Sequence, residues 1–327
     1  MSKRYKSLKD WLSNVLGTSE FELKPASEDA SFRSYHRLFL QDETFIVMDA
    51  PPPQEDCEPF VRVTNILHAS GVNAPTIHDM DLQQGFLLLD DFGNHLYLHK
   101  LDSSTANKLY SDAIIALVRM QSLANVKELA SYDESLLRRE MQLFTEWLLE
   151  KHLKIVLSQE QNKSIELLFD VLVETALEQP KAFVHRDFHS RNLMLTAENN
   201  PGVIDYQDAV NGPISYDLVS LLKDCYIKWS KDEINEWVNF YINQSAQHDT
   251  EINRKQFQRW FDLMGVQRHL KASGIFARLS HRDGKHGYLK DVPRTLSYIL
   301  DLKNDYDELV PLCLLIEESV LPIFQES

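Results

Sequence analysis

The sequence predicts an α+β fold in two lobes, with a small antiparallel β lobe that holds one helix at the N-terminus and a larger, mainly helical lobe after it. The chain has 327 residues, which is too long for one small core. Short β-prone runs occupy most of residues 20–90, whereas apolar residues recur at three- and four-residue steps through most of the remainder. These patterns divide the chain into lobes of residues 1–92 and 93–327.

The predicted N-terminal lobe is a sheet with one inserted helix. After a leading amphipathic helix at residues 8–17, the apolar runs 38–40 and 45–48 flank a polar segment, which indicates a hairpin. Residues 60–68 have the spacing of a helix. The run 86–89 is fully apolar and therefore predicts a buried strand.

The predicted C-terminal lobe begins where the periodicity becomes helical. Residues such as Leu109, Ala113 and Met120 would share one helix face. Two short strands, 182–184 and 202–204, bracket a segment rich in polar side chains. The rest of this lobe is predicted to be helical.

Composition narrows the class of protein. The net charge of −15 argues against non-specific nucleic-acid binding but leaves room for an anionic ligand in a local pocket. Cys57, Cys225 and Cys313 are too few and too far apart for a disulfide framework or a zinc site. The apolar run 309–324 contains two glutamates and is too short to span a bilayer. We therefore expect a cytoplasmic protein without nucleic-acid or membrane partners, and the oligomeric state is left open.

The most informative segment reads H-R-D at residues 185–187, with Asn192 five residues after Asp187 and Asp205 at the end of an apolar strand. This pattern is typical of phosphoryl transfer from ATP. Asp187 would orient and deprotonate the attacking hydroxyl, and the oxygens of Asn192 and Asp205 would hold Mg²⁺ on the phosphates. Each residue alone is an ordinary turn former, but the combination at this spacing is specific.

A second kinase-like motif has the wrong position. Residues 91–93 spell D-F-G, the metal motif of protein kinases, yet they precede the H-R-D segment. They follow the predicted buried strand and so suit a hinge between lobes. We expect the backbone of Leu89, Asp90 and Asp91 to hydrogen-bond adenine.

Two further residues are candidates for holding the loop in place. His185 follows an apolar strand and directly precedes the loop. Asp217 lies near the start of a predicted helix, where it could be an N-cap or could support the backbone of the loop, and both roles are compatible.

The segments 184–195 and 203–208 resemble the aminoglycoside phosphotransferase and choline kinase superfamily, relatives of protein kinases that phosphorylate small-molecule hydroxyls. The resemblance implies a bilobal protein-kinase-like fold that uses ATP and Mg²⁺. Members usually show His-Gly-Asp where this chain has Arg186 in the middle position.

Longer stretches resemble one branch, the anomeric kinases of N-acetylmuramate and N-acetylglucosamine. They are residues 29–33, 46–52, 206–209, 212–214, 267–271 and 274–279. This resemblance implies phosphorylation of the C1 hydroxyl of a cell-wall sugar during recycling. Two alternatives stay open, a phosphotransferase for another small alcohol (an aminoglycoside, choline or homoserine) and a nucleotide-binding pseudokinase scaffold.

The residues expected to bind the nucleotide depart from the general kinase pattern. Met48 occupies the position of the phosphate-pairing lysine, and the expected glycine-rich loop contains no glycine. A phosphate clamp could instead form from backbone N–H groups, the hydroxyls of Ser31 and Ser34, and Arg33. We hypothesise that Arg33 or Arg37 supplies the missing charge; the alternative is that both are solvated on a hairpin.

A basic run in the C-terminal half contains candidate residues for binding the acceptor substrate. Arg268 and Lys271 are three residues apart and would share one helix face. They could recognise an anion, such as the lactyl carboxylate of a sugar, or could simply be solvated. A polycationic aminoglycoside would require an acidic pocket instead.

Overall fold

A five-stranded antiparallel sheet forms the centre of the N-terminal part of the computed structural model. Its strands are β1 (Glu22–Glu28), β2 (Ser34–Leu40), β3 (Glu43–Asp49), β4 (Ile77–Asp81) and β5 (Phe86–Asp90), accompanied by helices α1 (Lys3–Leu16) and α2 (Glu58–Ala69). The strands lie in the order β1-β2-β3-β5-β4. The predicted hairpin is β2–β3, and the predicted apolar strand is β5, in which residues 86–89 are buried.

One face of this sheet packs on the leading helix. Because side chains alternate along a strand, Leu38, Val47 and Phe86 point to the same side. There they form a core with Leu8 and Leu12 of α1. The helix predicted at residues 8–17 therefore begins earlier, at the start of α1, and covers the sheet.

The opposite face carries Met48, at the position of the kinase lysine, and Arg37, one of the two arginines expected to replace that lysine. Met48 pairs with Leu87 across β3 and β5, and Arg37 pairs with Ile46 across β2 and β3. Met48 is fully buried. This face is therefore apolar at the position where kinases place a lysine, with Arg37 nearby on the adjacent strand.

The structure describes residues 3–28, 32–248 and 252–326. The chain forms two structural units, the first made of Met1–His95 and Met194–Asp208 and the second of Leu96–Leu193 and Ala209–Ser327. The first crossing lies close to the predicted division at residues 92 and 93. The return of residues 194–208 to the first unit was not predicted.

The returning segment is attached to α2. It contains β8 (Gly202–Val203), which pairs with the short strand β7 (Leu193–Met194). The ring of Tyr206 stacks on Phe60 at 4.9 Å between centroids, and its hydroxyl lies 2.8 Å from that of Thr64. These contacts fix the backbone on either side of residue 205.

Helices form most of the second unit, as predicted. They are α3 (Ala106–Leu123), α4 (Glu134–Leu143), α5 (Gln159–Leu177), α6 (Tyr216–Leu222), α7 (Lys231–Ala246), α8 (Arg254–Asp283), α9 (Val292–Leu300), α10 (Val310–Leu315) and α11 (Leu321–Glu326). Shorter helical stretches are the π-helices Phe144–His152 and Ile316–Val320 and the 3₁₀ helices Tyr97–His99, His286–Asp291 and Asp307–Leu309. Strands β6 (Lys181–Val184) and β9 (Val210–Pro213) pair antiparallel. Among the described residues, no helix has the length and apolar character needed to cross a bilayer.

Helix α8 runs through the interior of the second unit. It has 30 residues, most of them buried, and Gly274 lets it approach α4 closely, because a Cβ there would lie 2.3 Å from the backbone carbon of Leu143. Arg268 and Lys271 are 4% and 6% exposed. The interpretation of these two cations as a solvated face is therefore wrong, and they must find partners inside the unit.

Candidate active site

The loop that carries the H-R-D segment follows β6 and is fixed by its backbone. Asp217, from the first turn of α6, accepts hydrogen bonds from the backbone N–H groups of His185 and Arg186, at 2.6 Å and 3.1 Å. The buried His185 ring adds a longer contact, in which Nδ1 accepts from the N–H of Asp187 at 3.3 Å. Three consecutive backbone N–H groups thus point at side chains that hold the loop.

Asp217 is not a helix N-cap. Ser215 occupies the cap position of α6, so Asp217 is the second helical residue, and the N-cap interpretation is wrong. Its carboxylate is fully buried, and burial raises the pKa of Asp217 to about 7, against the effect of the two backbone N–H donors. The negative charge of Asp187 raises this pKa further. The support for the loop therefore depends on a carboxyl group that titrates near neutral pH.

Asp187 is ionised in this environment. Burial disfavours its charged form, but nearby positive charges, led by that of Lys271, outweigh burial and lower the pKa of Asp187 to about 2. Arg268 and Arg186 contribute to the same effect. The carboxylate can therefore accept a hydrogen bond from a hydroxyl at any ordinary pH, as a group that orients a nucleophile must.

Asn192 is held at the far end of the same loop. Its side-chain Nδ2 donates to the carbonyl of Asp187 at 3.0 Å, and its backbone N–H donates to the carbonyl of His189 at 2.9 Å. Because the amide nitrogen points to the loop backbone, the amide oxygen points away from it. An amide oxygen in that orientation is a suitable ligand for a hard cation.

Asp205, the other predicted metal ligand, belongs to the first unit. It follows β8 with a left-handed backbone (φ 65°), and its Oδ1 accepts from Nε2 of Gln207 at 2.8 Å. In the described part of the chain, no three His, Cys, Asp or Glu side chains cluster as a metal site. The carboxylate of Asp205 is by itself a hard oxygen ligand of the kind that suits Mg²⁺, which takes most of its ligands from phosphates and water.

A buried ionic cluster adjoins the loop, and sequence analysis missed it. Glu140 of α4 pairs with Arg186 and, at 3.2 Å, with Lys271, and it also accepts from the hydroxyl of Tyr132. Lys271 donates to the hydroxyl of Tyr216 at 2.9 Å. Burial disfavours the ionised form of Glu140, but its two cationic partners outweigh burial and lower its pKa. The cluster brings two positive charges and one negative charge beside Asp187.

Arg186, the middle residue of the H-R-D segment, belongs to this cluster. Arg186 has φ 77°, in the left-handed region where glycine is favoured, and glycine is the residue that the resembled superfamily usually has there. The arginine side chain lies over the Tyr132 ring, 5.9 Å from its centroid, and reaches Glu140. Arginine in place of glycine at residue 186 was the feature of the sequence that indicated a role for a long side chain at this position.

Arg268 and Lys271 therefore lie inside the second unit, close enough to Asp187 to affect its pKa. Arg268 donates to the sulfur of Cys225 at 3.5 Å, and its charge is favoured by Asp187 and Asp224. The sequence grouped these cations correctly as neighbours, but it could not show that both lie near Asp187.

The two arginines predicted to replace the missing lysine are both paired. Arg33 forms an ion pair with Glu55 at 2.9 Å, and Arg37 forms one with Asp91 at 2.6 Å. Arg37 also donates to the side chain of Asn94 at 2.6 Å. Both side chains are largely buried, so the alternative of solvated arginines on a hairpin is wrong.

The remaining predicted nucleotide residues lie near the sheet. Ser34 begins β2, opposite Asp49, while Leu89 and Asp90 end β5; Ser31 lies outside the described residues. The backbone N–H of Asp90 donates to the carbonyl of Thr76 at 3.1 Å, which engages one of the groups expected to meet adenine.

The D-F-G carboxylate is bound to the sheet. Asp91 is engaged by Arg37 and by the backbone N–H of Gly93 at 2.9 Å. These partners give Asp91 a structural role in the first unit, and the assignment of the metal to Asp205 instead of Asp91 stays a prediction.

Comparison with known proteins gives matches over most of the chain. A sequence model of the phosphotransferase enzyme family matches residues 22–257. The N-acetylmuramate/N-acetylglucosamine kinase of Pseudomonas aeruginosa is 46% identical over 308 residues, which covers 90% of this chain and 91% of the relative. The protein of the same name from Neisseria meningitidis is 41% identical, with 97% and 96% covered.

Solved structures of low identity share the fold. The choline kinase LicA from Streptococcus pneumoniae aligns with a TM-score of 0.67 at 12% identity and covers 92% of this chain and 100% of its own. The ADP-bound aminoglycoside phosphotransferase APH(2'')-Ib aligns with a TM-score of 0.60 at 15% identity, covering 89% and 97%. The fold is therefore that of the protein-kinase-like phosphotransferases, as predicted.

Proposed function

The chain belongs to the phosphotransferase enzyme family, and on this premise we propose that it is an ATP-dependent kinase of N-acetylmuramate and N-acetylglucosamine. The names of the relatives that are 41–46% identical support these acceptors. The observation that carries the proposal is the position of the Asp187 carboxylate on a loop whose backbone N–H groups are bound by Asp217.

The proposed reaction is transfer of the γ-phosphoryl group to the anomeric C1 hydroxyl. The hydroxyl donates a hydrogen bond to Asp187, which directs the oxygen lone pair at the γ-phosphorus. As the new O–P bond forms and the bond to ADP breaks, the hydroxyl proton passes to Asp187. General-base positioning of this kind contributes about 10²–10⁴-fold to the rate.

Asn192 and Asp205 are the residues that would hold Mg²⁺ on the nucleotide. The ion would neutralise charge on the phosphates when it is bound. On the nucleotide side, we propose that Arg33 and Glu55 take the place of the lysine–glutamate pair of protein kinases, because Arg37 is bound to Asp91. Backbone contacts from residues 89–91 and the hydroxyls of Ser31 and Ser34 remain part of this proposal.

For Arg268 and Lys271, direct contact with the substrate also remains a proposal. Their burial and their effect on the pKa of Asp187 favour a second role, that of keeping this carboxylate ionised. This electrostatic environment also bears on the alternatives. Cations around Asp187 disfavour a polycationic aminoglycoside, and an ionised catalytic carboxylate is unnecessary in a scaffold. A cytoplasmic location, as sugar recycling would require, is likewise proposed.

The decisive experiment is ADP release from ATP with a panel of acceptors, with and without Mg²⁺. We expect turnover with N-acetylmuramate and N-acetylglucosamine, dependence on Mg²⁺, and loss of about 10²-fold or more in Asp187→Asn. Phosphorus NMR of the product should show coupling to the anomeric proton. Turnover confined to choline, homoserine or an aminoglycoside, or a phosphate on another hydroxyl, would contradict the proposal.

A further inference from the structure

We propose that Arg191 is the residue that recognises the carboxylate of N-acetylmuramate, an inference that rests on the function proposed above. Arg191 belongs to the catalytic loop, four residues after Asp187 and immediately before Asn192. It was not among the residues that sequence analysis selected. Its surroundings single it out by geometry and by charge.

Two aromatic rings hold the Arg191 side chain. Its guanidinium carbon lies 4.7 Å from the ring centroid of Tyr226 and 5.4 Å from that of Tyr288. Tyr226 follows α6, and Tyr288 lies in the 3₁₀ helix His286–Asp291 after α8. Its N–H groups also hydrogen-bond to the side chains of both tyrosines. Because a guanidinium has five N–H donors and contact with an aromatic face fixes its plane, the group is oriented and keeps further donors for a planar anion.

The charge of Arg191 is not balanced in the way that its neighbours' charges are. Arg186 and Lys271 both pair with Glu140, and Arg268 is favoured by Asp187 and Asp224. For Arg191, no carboxylate of the described chain segments lies within ion-pair distance. Burial disfavours its charged form, but Tyr226 and Tyr288 outweigh burial and raise the pKa of Arg191.

This contrast matters in so acidic a chain. The net charge is −15, and the other arginines of the loop region have carboxylates near them. A half-buried guanidinium on the same loop as Asp187, held by tyrosines instead of an acid, is suited to take an anion from the substrate.

The two proposed acceptors differ in whether they carry an anionic group. N-acetylmuramate carries a lactyl ether on O3, which ends in a carboxylate, whereas N-acetylglucosamine has a free hydroxyl there. With C1 at Asp187, the lactyl group projects from another part of the ring, so its receptor must be near Asp187 without touching it. The aromatic rings of Tyr226, Phe276 and Tyr288, which contact one another in turn, would offer an apolar surface to the lactyl methyl group.

The test compares three acceptors in one pair of variants. Arg191→Gln and Arg191→Lys are assayed with N-acetylmuramate, with its neutral methyl ester and with N-acetylglucosamine. For Arg191→Gln we expect kcat/KM for N-acetylmuramate to fall about 10–100-fold, mainly through KM, because a charge-assisted hydrogen bond is lost. The two neutral acceptors should change by less than about threefold, and Arg191→Lys should be intermediate.

The matched control is Arg282→Gln, which removes an exposed arginine of the same unit that is paired with Asp283 at 2.8 Å. It should leave the ratio of the three acceptors unchanged. An equal fall in kcat for all acceptors in Arg191→Gln would assign the residue to the transferred phosphoryl group and overturn the inference. Equal losses with a lower Tm, or unchanged kinetics with N-acetylmuramate, would also overturn it. Failure of the unmodified protein to use either sugar would instead refute the proposed function itself.

Discussion

The carboxylate of Asp217 accepts a 2.6 Å hydrogen bond from the backbone N–H of His185. A second backbone N–H, that of Arg186, reaches the other carboxylate oxygen at 3.1 Å. Both oxygens of one buried side chain are thus used to fix the two residues that precede Asp187. The position of the Asp187 carboxylate therefore depends on Asp217, a buried group that holds the loop backbone.

The first prediction follows from these two bonds. Asp217→Asn replaces one acceptor oxygen with an NH₂ group, which must face a backbone N–H donor. One buried N–H is then unsatisfied, at a cost of about 1–3 kcal/mol. We expect a lower Tm and a fall of about tenfold or more in kcat, with little change in KM for ATP. Asp283→Asn, at an exposed position, is the control for the same chemical change. Unchanged kcat in Asp217→Asn would show that the loop holds its shape without this side chain.

The second prediction concerns the pH dependence of the reaction. The pKa of Asp187 is lowered from 3.8 to about 2, and Lys271 is the strongest of the charges that lower it. In the unmodified protein, Asp187 therefore stays ionised above about pH 4 and gives no acid limb in the pH–rate profile at higher pH. In Lys271→Met the carboxylate loses this charge, and we expect the acid limb of kcat/KM to move up by about one pH unit or more.

The sign of the effect on stability follows from the same shift. A carboxyl group whose folded pKa lies below its unfolded value stabilises the fold above the unfolded pKa, and this contribution is lost as the pH falls from 3.8 toward about 2. Lys271→Met should reduce that part of the acid dependence of unfolding. Lys231→Met removes an exposed lysine and should change neither profile. An acid limb that does not move in Lys271→Met would contradict the electrostatic role of this lysine.

Much of the fold was predictable because short sequence patterns indicate individual strands and helices. The hairpin of β2 and β3, the helix α2 and the strand β5 each follow from periodicity within a short segment. The spacing of Asp187 and Asn192 on one loop is local as well, and the structure joins them by a direct hydrogen bond.

The rest depended on contacts between distant segments. Glu140 and Arg186 are 46 residues apart in the sequence, and nothing in either segment shows that they meet. Arg268 and Lys271 of α8 resembled part of a solvated run because a charged residue is normally exposed. Both are buried because this part of α8 is surrounded by other helices, where each of the two cations finds partners. Tertiary packing, which single-segment patterns do not encode, decided both cases.

The third prediction tests the left-handed backbone of Arg186. In Arg186→Gly, relief of backbone strain should stabilise the fold by about 1 kcal/mol, whereas loss of one partner of a buried ion pair should cost about 3 kcal/mol. We therefore expect a net loss of about 2 kcal/mol in the free energy of unfolding, measured in urea. Because both changes affect the same ion pair, Arg186→Gly with Glu140→Gln should lose less than the sum of the single variants. A single glycine variant more stable than the original would show that strain dominates.

The fourth prediction separates the two arginines of the first unit. Arg33 pairs with Glu55, just before α2, and Arg37 is tied to Asp91 and Asn94. If Arg33 supplies the charge that Met48 cannot, Arg33→Ala should raise KM for ATP by about tenfold. Arg37→Ala is the matched control, since it also removes a largely buried, ion-paired arginine. It should lower the Tm and leave KM for ATP within about twofold. If KM and turnover stay within about twofold in both variants, neither arginine replaces the lysine.

The last prediction assigns the metal aspartate between Asp205 and Asp91. Asp205 has a left-handed backbone with φ 65°, a conformation that asparagine adopts readily, so Asp205→Asn should remove the charge without disturbing the chain. We expect the Mg²⁺ concentration for half-maximal activity to rise by at least about tenfold. Asp91→Asn weakens the bond to Arg37 and should lower the Tm while the Mg²⁺ requirement stays the same. The two substitutions are chemically identical and lie in the same unit, so they differ mainly in the carboxylate they remove. A raised Mg²⁺ requirement in Asp91→Asn alone would exchange the two roles and return the metal to the D-F-G segment.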